Sequence, residues 1–185
     1  TSGAGIATLL AASEAGVDII DCAMDAFSGG TSQPCLGSVL ETLRNTERMS
    51  SVKVEEVRDI SNYWQNVRQQ YSAFDEGMSY PASEVYLHEM PGGQFTNLLN
   101  QAKNLGLSSK WPEIARTYSE VNQIFGDIVK VTPSSKVIGD MALMMVSQGI
   151  TREQVENPRV DVAFPESVLD MLRGNLGQPP GGFPA

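Results

Sequence analysis

VDIIDCAM, residues 17–24, decides how the fold is read. It is short and apolar, closed by Gly16 on one side and by the SGG turn at 28–30 on the other. That pattern predicts a strand buried on both faces of a parallel sheet. Upstream, Thr1 or Ser2 is placed to cap a helix over residues 3–15, with Ile6, Leu9 and Leu10 on its apolar side and Gly16 as its stop. Downstream, SGGTSQP (28–34) reads as a loop in which Ser32 caps, and Pro34 enters the first turn of, a helix over CLGSVLETLRN. Helix, strand, loop and helix in that order make an α/β unit. A lone parallel strand leaves its own backbone groups unpaired, so its neighbours are expected from sequence outside these residues or from another chain. A start on TSGAG without methionine fits the same expectation of a fragment.

From Val54 onward the periodicity is helical. Val54, Val57, Ile60, Trp64, Val67, Tyr71 and Phe74 recur every three or four residues, which predicts one long amphipathic helix with this face in the core. GMSYPAS (77–83) and MPGGQ (90–94) read as breaks, and helices are expected over 95–105, 112–125, 141–148 and 165–173. The tail GQPPGGFPA is expected to carry no helix.

The 185 residues, 41% of them apolar, suffice for one soluble globular domain. Thirteen basic against 22 acidic residues give a net charge of -9, which argues against nucleic acid or an anionic membrane as partner. No apolar run reaches the roughly 18 to 20 residues of a membrane span. Cys22 and Cys35 without secretory features predict buried free thiols in a reducing, intracellular compartment. His88 and the neighbouring Glu89 do not make a metal set, since even a catalytic zinc takes about three protein ligands. His88 is expected to lie at the surface or to brace a loop. No glycine cluster has phosphate-binding spacing, although SGG at the carboxyl end of the expected strand is placed to line a site. Asp18, Asp21 and Asp25 read as local caps and ion-pair partners rather than an acid–base pair.

VTPSSK, residues 131–136, interrupts two apolar runs. Thr132 before a proline is held extended, Ser134 or Ser135 can cap the next helix, and Lys136 opposes the dipole of its first turn. Capping accounts for the serines but not for the lysine. Hydroxyls and an ammonium gathered at a helix start suit an anionic or carbonyl-bearing ligand.

TSGAG, AGVDIIDCAM, SGGTSQP, YLHEMPGGQFTNL, GDIVKVTPSSKVIGDMA, FPESV and GQPPGGFP together resemble, in order and spacing over essentially the whole chain, the carboxyltransferase domain family of pyruvate carboxylase. The resemblance implies a (β/α)8 barrel followed by a helical funnel. Residues 1–47 would be the last helix, strand and helix of the barrel, and 48–185 the funnel, giving a chain that is mainly α with one parallel strand. It implies transfer of a carboxyl group from carboxybiotin to pyruvate to give oxaloacetate, with Thr132 as the catalytic proton relay and Ser135 and Lys136 as biotin contacts. Biotin would sit on a carrier domain outside this chain, and ATP would act at a separate domain. The family's divalent metal, such as Zn or Mn, would be held by a His-x-His pair, an aspartate and a carboxylated lysine upstream of Thr1, where the pyruvate-binding arginine and glutamine also lie. The partners implied are pyruvate and oxaloacetate, the biotinyl carrier domain, the rest of the barrel and further copies of the chain, in the bacterial cytoplasm or the mitochondrial matrix. Alone, this stretch would be inactive. A carboxyltransferase subunit of the oxaloacetate decarboxylase or transcarboxylase type shares a related VTPSS motif, and a helical assembly module binding through the Val54 to Phe74 face is the reading without chemistry.

Overall fold

The computed structural model describes residues 2–75 and 82–184. The break expected at 77–83 lies mostly outside them. The chain divides into two compact units, Thr1–Ser83 and Glu84–Ala185.

In the first unit α1 (Gly5–Glu14) stops where Gly16 takes a φ of 98°, and the Gly16 and Val17 N–H groups close back on the Ser13 and Ala12 carbonyls. Only glycine adopts that conformation without strain. The expected strand over 17–24 does not form among the described residues. A single parallel bridge pairs Ala23 with Cys35. Val17 is exposed and Ile19 is 83% exposed, so the apolar run has the composition of a buried strand but no neighbours to hydrogen-bond it. The loop that follows is pinned instead by side chains. Asp25 Oδ1 accepts the Gly37 N–H at 2.7 Å, Ser61 Oγ accepts the Ala26 N–H at 3.0 Å, and Arg68 Nη1 donates to the Ala26 carbonyl at 2.6 Å. Asp25 thus accepts a hydrogen bond from the first turn of the next helix, across 12 residues rather than locally as expected. A Cβ at position 37 would lie 2.2 Å from Asp25 Oδ2, which explains a glycine where the two segments meet.

The next helix, α2 (Leu36–Thr42), begins after Cys35 with no side-chain cap. Ser32 and Pro34 therefore lie outside it, contrary to the expected cap and first turn; the Ser32 N–H closes a tight turn onto the Gly29 carbonyl instead. The long helix α3 (Val54–Gln70) is present, with acidic Glu55 and Glu56 at its positive end. Its apolar face is not all core, as the periodicity had suggested. Val54, Val57 and Ser61 are buried and Ile60 and Trp64 exposed, while Tyr71 and Phe74, expected on the same helix, lie beyond its end and are exposed. Periodicity fixes a face of the helix, but burial needs an opposing surface, and here α2 and the 25–27 turn cover only part of it. Phe27 meets Trp64 edge-on at 5.8 Å, and Trp64 meets Tyr63 at 5.2 Å.

In the second unit, α4 (Val85–His88) is one turn, closed by Glu89 in the left-handed region, and α5 (Gly92–Asn104) starts after Pro91. Next come α6 (Trp111–Ile124), with proline in its first turn, and α7 (Ser134–Gln148), which ends on the left-handed Gly149. A one-turn α8 (Arg152–Val155) follows, then α9 (Glu166–Leu172). The expected helices are all found, and the described residues of the tail carry none. The core forms around α7, which is buried on almost every side through Val137, Ile138, Met141, Ala142, Met145 and Val146. Around it stand Leu98 and Ala102 of α5, Ile114, Tyr118 and Val121 of α6, and Val168 and Met171 of α9. Gly139 lets α5 come close, since a Cβ there would meet Gln94 Nε2 at 2.2 Å. No helix among the described residues is long and apolar enough to cross a membrane.

Candidate functional site

Thr132, Ser135 and Lys136 all lie in the turn that opens α7. The turn is tied together by backbone and by Ser134. Ser134 Oγ lies 2.6 Å from the carbonyl oxygens of both Val129 and Val131, one of which takes its proton, and it accepts the Val131 N–H at 3.1 Å. The Thr132–Pro133 peptide bond is cis. The Ser135, Lys136 and Val137 N–H groups are taken up by the Val131 and Pro133 carbonyls, so the start of α7 supplies a ligand with side chains rather than free backbone donors. The expected side-chain cap is absent, and Pro133 stands in the capping position.

Among the three residues the environments differ. Thr132 is exposed, and no hydrogen bond within the described residues holds its hydroxyl. Ser135 is buried, and its carbonyl oxygen accepts the Tyr118 hydroxyl at 3.4 Å. Burial pushes the Tyr118 phenol well above its ordinary range, so it stays a neutral donor there. Lys136 projects from the first turn with a side chain 60% exposed, and its Nζ pairs with Asp140 Oδ2 at 2.5 Å. That carboxylate, invisible as a partner in the motif alone, offsets the unfavourable placement of a cation at the positive end of the helix. The same Oδ2 accepts the Ser167 hydroxyl from α9 at 2.6 Å.

The other sequence candidates resolve differently. His88 is buried, with Nδ1 accepting the Met90 N–H at 3.0 Å and its ring 5.7 Å from Phe95, so it braces the loop before α5 as expected. Burial lowers its pKa, with Glu84 opposing the shift more weakly. The folded state therefore favours the neutral ring, while the unfolded chain takes up the proton first as pH falls. The contribution is intact above the unfolded value, near 6.5, and is lost as pH falls below it toward the folded value. Thermal unfolding of the chain should accordingly lose more stability between about pH 7.5 and about pH 5.5 than that of His88→Asn, and equal losses would contradict this account.

Among the described residues no group of three or more His, Cys, Asp or Glu is placed to hold a metal ion. Cys22 and Cys35 are free and half-buried, with burial raising the Cys22 thiol pKa and Asp21 and Cys35 adding to the rise. An open depression of about 390 Å³ in the first unit is lined by Asp25, Gly37, Ser38, Glu41 and Arg58, and not by the SGG glycines. Of its charges, Glu41 Oε1 pairs with Arg44 at 2.6 Å and with Arg58 at 2.5 Å, and Asp25 is held by the Gly37 N–H.

Comparison with known proteins places the chain in a family. The model of the conserved carboxylase domain matches residues 85–185. Pyruvate carboxylase of Bacillus subtilis (strain 168) is 49% identical over 184 residues, and mitochondrial pyruvate carboxylase of Homo sapiens is 47% identical over 186. Each covers 100% of this chain, and the chain spans 16% of each relative's length. The solved carboxyl transferase domain of Rhizobium etli pyruvate carboxylase with pyruvate and biocytin superposes with a TM-score of 0.97 at 61% identity, covering 100% of this chain and 31% of that one. The chain belongs to the family of the conserved carboxylase domain, and along its whole length it is similar to part of the carboxyl transferase domain of pyruvate carboxylases.

Proposed function

We propose that this chain is part of a biotin-dependent carboxyltransferase that moves a carboxyl group from carboxybiotin to pyruvate, giving oxaloacetate. The observation that carries the reading is the full-length likeness to a carboxyl transferase domain solved with pyruvate and biocytin, with VTPSSK standing at the start of the central helix of its unit. Biotin, when bound, supplies the carboxyl group. Thr132 is the proton relay: its exposed hydroxyl accepts a proton from the pyruvate methyl group as it passes its own to the ureido nitrogen left without a carboxyl. Lys136 holds the ureido oxygen with the ammonium hydrogens not directed at Asp140, and stabilises charge there. Ser135 is the second biotin contact. Its burial makes it a short-range one that shapes the wall of the site rather than reaching out from it.

The run at 17–22, with Val17 and Ile19 exposed and no strand formed, fits the barrel reading, because strand neighbours for it would come from the rest of a (β/α)8 barrel. Residues 1–47 would close that barrel and 48–185 would form the funnel. The divalent metal, the pyruvate-binding residues and the ATP site belong to the remainder of the protein, which would assemble as a homo-oligomer in the bacterial cytoplasm or the mitochondrial matrix. The test is oxaloacetate formation by the full-length protein from pyruvate, bicarbonate and ATP. Avidin, which sequesters biotin, should abolish it, and avidin-insensitive turnover or none with pyruvate would overturn the proposal.

A further inference from the structure

We infer that Asp140, anchored by Ser167, is a positioning residue that sets the Lys136 ammonium for its ligand. This rests on the reading of Lys136 as a biotin-holding residue. A lysine has four rotatable side-chain bonds, and an exposed one loses that freedom whenever it must hold a ligand in one geometry. The Lys136 side chain is 60% exposed, so its surroundings restrict it only in part. The fixed point is at its tip. Asp140 sits one turn along α7, at the i,i+4 spacing that brings two side chains onto one face, and its side chain is only 18% exposed. An ordinary surface pair at this spacing, with the lysine on the N-terminal side, is weak and leaves both partners mobile.

This pair differs because its carboxylate is mostly buried and receives a second donor. Asp140 Oδ2 takes the Ser167 hydroxyl at 2.6 Å and the Lys136 ammonium at 2.5 Å, so one oxygen receives a donor from α9 and a donor from α7. Val168, beside Ser167, is buried, and α9 packs on α7, which places the hydroxyl against Asp140. One of the three ammonium hydrogens is directed at Asp140 and the other two are left to meet a ligand oxygen. The arrangement also predicts a sign. If Asp140 positions Lys136, removing its charge weakens ligand binding; if it merely competes for the ammonium, removing it strengthens binding.

The full-length protein can be tested by carboxyl transfer from oxaloacetate to added free biotin, followed as pyruvate formation. Asp140→Asn should raise KM for biotin about tenfold and leave kcat within about threefold, the pattern of lost binding shared by ground and transition states. Ser167→Ala should shift KM the same way by about threefold, and Asp140→Glu, which keeps the charge, should recover part of the loss. Asp140→Asn added to Lys136→Ala should change nothing further, because the effect travels through the lysine. If Lys136→Ala raises KM for biotin while Asp140→Asn leaves it unchanged or lowers it, the positioning role is wrong and the lysine's role stands. If Lys136→Ala itself leaves KM for biotin unchanged, the reading of Lys136 fails with it. Should Asp140→Asn not fold, Ser167→Ala carries the same decision, since general damage to the fold would lower kcat rather than split it from KM.

Discussion

Thr132→Ala in the full-length protein is expected to lower carboxyl transfer to pyruvate by about 10²- to 10⁴-fold, the usual worth of a positioned proton-transfer group. ATP-dependent carboxylation of biotin should continue at its normal rate. The expectation is sharp because the Thr132 hydroxyl has no structural task. The turn is held by Ser134, by the Val131 and Pro133 carbonyls and by α7 itself, and removing one exposed hydroxyl leaves every one of those contacts in place. Loss of transfer would then report chemistry and not collapse of the turn. Thr132→Ser keeps the hydroxyl and should retain activity within about tenfold of the parent.

The second large effect is on stability. Ile138→Ala removes a fully buried side chain from the middle of the second unit's core and should cost about 2–5 kcal/mol, read as a lowered urea midpoint. Ile60→Ala, on the exposed part of α3, should stay within about 0.5 kcal/mol. Both are isoleucines in helices with apolar periodicity, so the contrast isolates burial. Similar costs at the two positions would mean that α3 is covered and α7 is not the central helix.

That contrast also shows which parts of the molecule could be read from the chain. Helices ending in Gly126 and Gly149, or starting at Pro91 and Pro165, are marked by residues whose backbone preferences act locally, and they appear close to where expected. α8 carried such a mark too, in Thr151 and Gln154, which form a reciprocal capping box, but its single turn offers no periodicity to draw attention to it. The strand over 17–24 and the buried face of α3 depend on what lies opposite, and no local residue specifies that. Within the site, Thr132, Ser135 and Lys136 stand together in one motif and were legible as a group. Asp140 lies in the following stretch and Ser167 a further 27 residues on, and only the packing of α9 against α7 brings that hydroxyl to the lysine's partner.

The most direct measurement follows ¹⁴C from bicarbonate in the full-length protein and its Thr132→Ala variant, with ATP and pyruvate present. The proton-relay account predicts label on biotin in both proteins and label in oxaloacetate from the parent only. Equal labelling of oxaloacetate by the two would contradict it.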